Sequence, residues 1–461
     1  MFETKTYVNR RKKLRESLKD GIVLILGNGD VPMNYAGNTY HFRQDSNFLY
    51  FFGIDHQDLA GVIDLDNNVE YLFGDDVSID DIIWMGPQPL LKDKAEKVGV
   101  RNTMPFDELF RFLKNSMEAD RKIHFLPPYR AENKILLNKM LGIPVEQLKA
   151  LASVELIKAV VALREIKEPE EVDEIEKAIE TGYKMHTTAM KMAKPGVYER
   201  EIAGVVEGIA LSGGGSLSFP IILSKHGETL HNHYHGNKLE AGDLMVVDTG
   251  CETTMRYASD HTRTIPVGGK FSQRQKEIYE IVLEANVKAI EAIKPGVTYK
   301  SIHMLAITII GEGLKKLGLM KGDISKAVEL AATALFMPHG LGHMMGLDVH
   351  DMEDLGENFV GYDDEVKRSD LFGTAYLRLG KRLKPGFVLT VEPGIYFIPA
   401  LIEQWEKEGK FTEFINYDKV KEYIGFGGIR IEDDVLVTDD GYRVLGPLIP
   451  KTVADVESLM V

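Results

Sequence analysis

The stretch LEAGDLMVVDTG (residues 239–250) decides the fold, because a related stretch, LKPGFVLTVEPG (residues 383–394), follows 144 residues later. Each copy reads as a turn, then an apolar run rich in Val and Leu, then an acid and a nearby glycine. The pattern predicts a buried strand with a carboxylate where the strand ends. Asp248 and Glu392 hold that position. Because a buried carboxylate is unfavourable unless a cation or hydrogen bonds compensate, we predict two half-domains that face each other across a metal site.

A second motif is also repeated. KPGV occurs at residues 194–197 and again at 294–297, and each copy ends a predicted long helix, over residues 165–191 and 273–293. KPG is a common way to stop a helix, so this motif alone would not establish a duplication. Together with the strand repeat, it indicates that a whole unit of helices and strands is duplicated.

Composition excludes several classes of protein. The 461 residues suffice for two or three domains, and 44% are hydrophobic. A net charge of −15 without a long basic run argues against nucleic-acid and anionic-membrane partners. We find no secretory signal and no apolar run that could span a bilayer. Cys251 is the only cysteine, so no internal disulfide can form. The sequence predicts a soluble cytoplasmic protein.

Residues 1–160 are predicted to form one α/β domain and residues 161–461 a second, α+β domain that carries the repeats. In the first domain we expect a basic helix over residues 8–20 and a hairpin over 59–73. Strands are predicted at residues 21–29, 123–126 and 154–156. In the second domain, residues 353–382 and 400–423 are polar or charged segments that could wall a pocket.

Five residues on or near the repeats form a hard, mostly oxygen ligand set: Asp248, Asp260, His343, Glu392 and Glu432. Four clustered carboxylates without a cation would raise one another's pKa. Two divalent ions bridged by carboxylates remove this repulsion. Such a site activates a water and polarises a carbonyl.

Each of these residues also has an ordinary interpretation. Asp260 alone would more often cap a turn, and Glu432 alone would more often pair with a cation such as Arg430. His343 lies among glycines, which offer little apolar wall for a core histidine. The set as a whole, combined with the repeat, favours metal binding.

Further histidines cluster beside the candidate ligands and are candidates for substrate hydrogen bonding and proton transfer. Four lie just before the first repeat strand and two flank His343: His226, His231, His233, His235, His339 and His350. An isolated surface histidine is usually inert. The functional interpretation of these six therefore depends on their position beside the candidate ligands.

The second part of the chain resembles the pita-bread metallopeptidases, the family of methionine aminopeptidase, aminopeptidase P and prolidase. The motifs that carry the resemblance are VVDTG, YASDHTRTIPVGGKFS, MPHGLGHMMGLDVHD, LTVEPGIYF and GGIRIEDDVLVT. FRQDSNFLYFFGI in the first domain resembles the creatinase-like N-terminal domain. The resemblance covers nearly the whole chain and implies the proline-specific branch, in which a bridging hydroxide hydrolyses Xaa-Pro bonds.

The resemblance implies a role for each candidate residue. The five predicted ligands would hold two divalent ions, usually manganese in this branch, although zinc, cobalt and iron also suit such ligands. Asp260 and Glu432 would bridge the ions, and Glu392 would handle the proton of the attacking water. His350 and Arg430 resemble substrate-binding residues. A homodimer is also implied, with the N-terminal domain reaching toward the partner's active site.

Two departures from the family pattern stand out. Asp248 and Asp260 are 12 residues apart rather than the commoner 11, so we expect a β-bulge or a longer hairpin. The histidine that stabilises the tetrahedral intermediate normally lies in Leu-His-Tyr. His231 follows leucine, but its next residue is Asn232, and His233, followed by Tyr234, is a rival.

Prolidase and aminopeptidase P share these ligands, and we favour prolidase. WMG at residues 84–86, the long interval from Glu392 to Glu432 and the ending PKTVADVESLM resemble the eukaryotic-type prolidase. A dipeptidase also needs a cation for the proline carboxylate, a role open to Arg430, Arg43 or Arg378. Two other possibilities are a creatinase-like amidinohydrolase and a non-catalytic pita-bread binding scaffold. Both typically lack these ligands, whereas this chain keeps all five.

Overall fold

The computed structural model describes residues 1–460, and the chain divides into two compact units. Unit 1 comprises Met1–Arg164 and Met352–Phe359. Unit 2 comprises Glu165–Asp351 and the described residues from Val360 onward.

Unit 1 is built on a five-stranded mixed sheet. The strands of unit 1, in chain order, are β1 (Ile22–Leu26), β2 (Pro32–Tyr35), β3 (Asn38–Thr39), β4 (Ala60–Asp64), β5 (Val69–Phe73), β6 (Asn102–Met104) and β7 (Ile123–Phe125). The sheet order is β6-β5-β4-β1-β7, and β2 pairs separately with β3. The antiparallel pair β4–β5 confirms the predicted hairpin.

The helices of unit 1 are α1 (Thr4–Glu16), α2 (Ser46–Phe52), α3 (Ile79–Met85), α4 (Leu91–Lys97), α5 (Glu108–Glu118), α6 (Ala131–Leu141), α7 (Leu148–Leu151) and α8 (Val154–Arg164). Helix α1 confirms the predicted basic helix, with earlier bounds. The strand predicted at residues 154–156 is wrong, because these residues begin α8. The Ser153 hydroxyl accepts a hydrogen bond from the Leu156 amide at 3.3 Å, and such a cap starts a helix whatever its apolar content.

Unit 2 combines long helices with small antiparallel sheets. Its helices are α9 (Pro169–Met192), α10 (Glu199–Ser212), α11 (Gln273–Glu291), α12 (Tyr299–Lys316), α13 (Ile324–Glu329), α14 (Glu357–Val360), which begins in unit 1, α15 (Pro399–Lys407), α16 (Tyr417–Lys421) and α17 (Val453–Leu459). Its strands are β8 (Ile222–Ser224), β9 (Leu244–Thr249), β10 (His261–Pro266), β11 (Val388–Val391), β12 (Gly394–Tyr396), β13 (Gly428–Arg430), β14 (Asp433–Val437) and β15 (Tyr442–Val444). The sheet orders are β10-β9-β8, β11-β14-β15 and β12-β13.

The two predicted long helices are present as α9 and α11. Helix α9 begins at Pro169 rather than at residue 165, because proline suits the first helical position and disfavours the helical conformation in the residue before it. The preceding residues Glu165 and Lys167 instead make ion pairs with other parts of unit 2.

The backbone of unit 2 shows the predicted duplication. The amide of Gly196 donates to the Leu239 carbonyl at 2.8 Å, and the amide of Gly296 donates to the Leu383 carbonyl at 2.9 Å. Both turn glycines of the strand repeat have positive φ, +92° at Gly242 and +87° at Gly386. Each KPGV motif is therefore hydrogen-bonded to the start of its own copy of the strand repeat.

No helix within residues 1–460 is both long and apolar enough to cross a membrane. The cytoplasmic location stays a prediction.

Candidate metal centre

The two repeated strands deliver their acids to one cavity in unit 2. Strand β9 is buried along its whole length and carries Asp248 as its next-to-last residue. Strand β11 is equally buried, and Glu392 follows its last residue. Both acids line a cavity of about 590 Å³.

Asp260 reaches the same cavity from the hairpin formed by β9 and β10. Thr262 pairs with Asp248, His261 with Thr249 and, beyond the strands, Ala258 with Glu252. This register is uninterrupted, so the extra residue lengthens the hairpin and no bulge forms between these pairs. Asp260 is buried, with 5% of the residue exposed, and its backbone amide donates to Asp434 Oδ2 at 3.0 Å.

Glu432 lies between β13 and β14, directly beside β10. Its amide donates to the Thr262 carbonyl at 3.1 Å, and the Thr262 hydroxyl donates to Glu432 Oε2 at 2.7 Å. Since β10 belongs to the first copy and β14 to the second, these two bonds join the halves at the site.

His343 lies in the glycine-rich loop after the 3₁₀ turn Ala332–Leu335. Its Nδ1–H donates to the Met344 carbonyl at 3.0 Å. Nδ1 therefore carries a proton, and Nε2 faces the acids, 3.4 Å from Asp260 Oδ2 and 3.7 Å from Glu392 Oε1. A neutral imidazole whose other nitrogen is held by a carbonyl is the usual form of a metal-ligating histidine.

The ligand atoms of three residues converge. Asp260, His343 and Glu432 each offer one ligand atom, and these atoms all lie within 4.8 Å of one another. Asp248 and Glu392 line the same cavity, so all five predicted ligands border it.

The electrostatics of this cluster fit a divalent cation. Burial, reinforced by Asp248, raises the pKa of Asp260 well above its ordinary value. Burial likewise raises the pKa of Glu432, with Asp260 adding to it, and raises that of Glu392 to about 7. Asp260 Oδ1 is buried without a hydrogen-bond partner among the described residues. A bound divalent ion would satisfy this oxygen and favour the ionised form of every carboxylate.

Arg430 holds Asp248 from the opposite side. Its Nη2 donates to Asp248 Oδ2 at 2.6 Å and its Nη1 to Tyr396 Oη at 2.8 Å. His339 Nδ1–H donates to the Gly340 carbonyl at 2.7 Å, so its Nε2 accepts the Tyr396 hydroxyl proton at 2.9 Å. Burial lowers the pKa of His339 to about 3, which keeps this ring neutral.

The remaining predicted histidines divide into two groups. His231, His233 and His350 line the cavity, and the His350 ring centroid lies 4.2 Å from that of His343. His226 and His235 are not among the lining residues: His226 pairs with Glu228 at 3.2 Å, and His235 Nδ1–H donates to the Leu223 carbonyl at 3.0 Å.

Sequence reasoning assigned no role to several residues that line the cavity or contact its wall. Tyr396 stands in a quoted motif, four residues after Glu392, yet only its contacts with His339 and Arg430 show its importance. Phe372 and Tyr376 line the cavity itself, whereas Tyr396 is not among the lining residues. Alternation along residues 392, 394 and 396 could have pointed to Tyr396. No local signal marks the two aromatic residues of the 353–382 segment.

Of the other arginines considered, Arg378 lines the cavity. Arg43 belongs to unit 1, where its Nη1 donates to Ser46 Oγ at 3.1 Å.

Comparison with known proteins gives two family matches. Residues 173–439 match the model of metallopeptidase family M24, and residues 7–124 match the aminopeptidase P N-terminal domain. These matches and the structural likeness below confirm the predicted fold class.

Similar proteins carry two related names. Human Xaa-Pro dipeptidase is 31% identical over 459 residues, which cover 98% of this chain and 91% of that protein. A probable Xaa-Pro aminopeptidase of Fusarium vanettenii is 33% identical over 423 residues, covering 91% and 87%. A variant of Escherichia coli aminopeptidase P solved with substrate is 28% identical, with a TM-score of 0.81 and coverage of 100% and 98%. The chain belongs to metallopeptidase family M24, with the N-terminal domain of aminopeptidase P before the peptidase domain.

Proposed function

We propose that this protein is a dinuclear-metal exopeptidase that hydrolyses Xaa-Pro dipeptides. The observation that carries the proposal is a single cavity lined by four carboxylates, His343 and two arginines. Relatives named Xaa-Pro dipeptidase and Xaa-Pro aminopeptidase support it. The alternative is release of the first residue from longer Xaa-Pro peptides.

The proposed ligands of two divalent ions are the five residues predicted from the sequence: Asp248, Asp260, His343, Glu392 and Glu432. Asp260, His343 and Glu432, whose ligand atoms converge, would hold the ions together with Asp248 and Glu392. When bound, the ions would activate a water as the nucleophile and polarise the scissile carbonyl. We favour manganese, and a neighbour described as zinc-substituted aminopeptidase P supports the exchange of divalent ions in such a site.

Glu392 is the proposed proton carrier of the site. Its carboxylate lines the cavity with the other four proposed ligands, where a carboxylate can act first as a general base and then as a general acid. It would take the proton of the attacking water and pass it toward the proline nitrogen, which leaves as a secondary amine. The proton is needed because the Xaa-Pro nitrogen carries none.

His231 is the proposed donor to the oxyanion of the tetrahedral intermediate. Its ring lines the cavity and has no hydrogen-bond partner within residues 1–460. The rival His233 uses Nδ1–H on the Ile221 carbonyl at 3.2 Å. His350 and His339 both line the cavity where a substrate would lie, so we assign substrate contacts to both.

Arg378 favours the dipeptidase over the aminopeptidase. A dipeptide presents the carboxylate of its proline inside the cavity, and this charge needs a cation. Arg430 lies at the wall but already donates to Asp248 and Tyr396, so we assign it to substrate and ligand positioning together. We assign the carboxylate to Arg378, which lines the cavity together with Phe372 and Tyr376, the proposed apolar wall beside the proline ring.

The 353–382 segment thus contributes three residues to the cavity wall. The 400–423 segment contributes none of the lining residues, but the ring of Trp405 packs 5.8 Å from that of Phe372. We propose that the first segment closes the cavity to longer peptides and that the second supports it.

The test compares the hydrolysis of Gly-Pro, Gly-Pro-amide and Gly-Pro-Ala by the manganese-loaded protein, with Asp260→Ala as the inactive control. We expect cleavage of Gly-Pro and much slower cleavage of the other two, and Arg378→Ala should remove this preference. Preferential cleavage of Gly-Pro-Ala would establish an aminopeptidase. No cleavage at all would indicate a binding scaffold.

We also propose a catalytic domain over residues 161–461, an N-terminal domain over residues 1–160 and a homodimer. The division of the chain between Arg164 and Glu165 supports the domain boundary. Sedimentation equilibrium would test the dimer.

A further inference from the structure

A fully buried ion pair in unit 2 lies outside the ligand set. Lys167 Nζ is 2.8 Å from Asp351 Oδ2, and both side chains are 1% exposed. A buried pair gains little net stability, because the desolvation of two charges offsets their attraction. The pair therefore requires a reason other than stability.

Asp351 directly follows His350. It closes the loop that carries His343 and His350. The Asp351 amide donates to the Met344 carbonyl at 2.9 Å, and its Oδ1 accepts the Asp348 amide at 3.3 Å. The loop thus begins beside His343 and ends beside His350. A displaced Asp351 would displace the ring of His350.

Gly346 shows how tightly the ion pair is packed under this loop. A Cβ atom at Gly346 would lie 2.8 Å from both Asp351 Oδ2 and Lys167 Cε. The Gly346 carbonyl accepts the Ala258 amide at 2.9 Å, two residues before Asp260. The pair therefore supports the loop at the point where the loop is fastened to the β9–β10 hairpin.

The backbone of Lys167 is itself fixed. Its amide donates to the Gly386 carbonyl at 2.8 Å, in the turn before β11. Two residues earlier, Glu165 pairs with Lys381 at 2.6 Å and with Lys384 at 2.8 Å. The ammonium of Lys167 is thus presented to Asp351 from an anchored segment.

We propose that Lys167 is a positioning residue that sets the ring of His350 in the cavity through Asp351. The inference rests on the proposed function, because His350 acts there as a substrate contact. Sequence reasoning treated residue 167 only as part of a helix.

The first test measures kcat and KM on Gly-Pro for Lys167→Met. We expect kcat to fall by about 30-fold, since small misplacements of a reacting group are costly, with manganese content unchanged. The matched control is Lys381→Met, which breaks another buried pair while Glu165 keeps Lys384. It should change kcat by less than about 3-fold. Asp351→Asn, which retains the shape of the side chain, replaces Lys167→Met if that variant does not fold.

A double-mutant cycle separates positioning from general damage. In a His350→Ala background, adding Lys167→Met should lower kcat no further. A full additional 30-fold loss there would overturn the proposal, as would an unchanged kcat in the single variant.

A measurement independent of activity is the histidine ¹³Cε1–H spectrum of the zinc-loaded protein, with the His350 signal assigned from His350→Gln. We expect Lys167→Met to shift or broaden this signal and Lys381→Met to leave it in place. If the wild type cleaves no Xaa-Pro substrate, the proposed function fails and this spectrum alone decides the position of His350. An unmoved signal would contradict the proposal in either case.

Discussion

Asp248 in the first copy of the repeat lies 2.6 Å from the guanidinium of Arg430. Glu392 in the second copy instead lies near two imidazoles, that of His343 at 3.7 Å and that of His339 at 3.8 Å. The turns before both strands are alike, with a positive-φ glycine and the same link to a KPGV motif. The duplicated backbone thus places two acids symmetrically, while their surroundings give them different chemistry. Asp248 is a proposed ligand held by a guanidinium, whereas Glu392 faces imidazoles and is the proposed proton carrier.

The largest expected effect is at the second acid. Glu392→Gln should lower kcat on Gly-Pro by about 10³-fold, because it removes the proton carrier. The fold decrease in kcat should exceed the fold change in KM. Steady-state kinetics at saturating manganese will measure it. A variant that keeps a tenth of the activity would mean that Glu392 does not handle the proton.

The partner of the first acid comes next. Arg430→Met should lower kcat/KM by about 100-fold, because it leaves Asp248 without its cation and Tyr396 without a donor. Arg430→Lys should recover little, since lysine cannot reproduce the forked geometry. Equal activity of the lysine variant and the wild type would show that charge alone matters at this position.

The two acids should have opposite effects on the stability of the metal-free protein. Folding raises the pKa of Glu392 from its ordinary value of 4.5 to about 7. The folded chain therefore binds more protons in that window, and the contribution of Glu392 to stability is lost as pH rises through about 7. Glu392→Gln should thus raise Tm by several degrees at pH 8 and leave it nearly unchanged at pH 5.

Asp248→Asn should instead lower Tm at pH 5 and at pH 8, because Arg430 loses its buried partner. Differential scanning fluorimetry after chelation will compare both variants with the wild type. Buried neutral histidines such as His339 make stability rise with pH, which is the opposite trend. This contribution cancels when each variant's Tm is compared with that of the wild type at the same pH. The same sign for both variants at pH 8 would contradict the distinction between the acids.

The smallest expected effect concerns the turns. Gly242→Ala and Gly386→Ala both force alanine into positive φ, at a cost of about 1 kcal/mol. A Cβ at Gly242 meets no atom within 4 Å, whereas one at Gly386 lies 2.8 Å from Ile166 Cγ2. Gly386→Ala should therefore be the more destabilising by about 1 kcal/mol or more in urea unfolding. Equal losses would show that Ile166 moves aside freely.

Much of this arrangement could be predicted from the sequence, because the repeat is local in each copy. The apolar runs of β9 and β11 predict these strands, and the repeated position of the acid in each copy identifies Asp248 and Glu392. The strand predicted at residues 154–156 was wrong because a short apolar run does not distinguish strand from helix. The start of α9 was placed too early because Pro169, a local signal for the first helical position, was not used to set it.

Other features depend on contacts that no local pattern contains. Tyr396 gains its importance from His339 and Arg430, which lie 57 and 34 positions away. Of the three candidate arginines, the cavity lining includes Arg378 and Arg430 but not Arg43, which the sequence alone could not tell. Sequence spacing cannot reveal such convergence, since it depends on how the two halves pack.

The most direct test of the account is the manganese content of the purified protein after reconstitution and dialysis. We predict two ions per chain in the wild type and fewer than two in both Asp248→Ala and Glu392→Ala. The reason is that each copy of the repeat contributes a ligand to one shared centre. Fewer than two ions in the wild type, or full occupancy in either variant, would contradict the central claim.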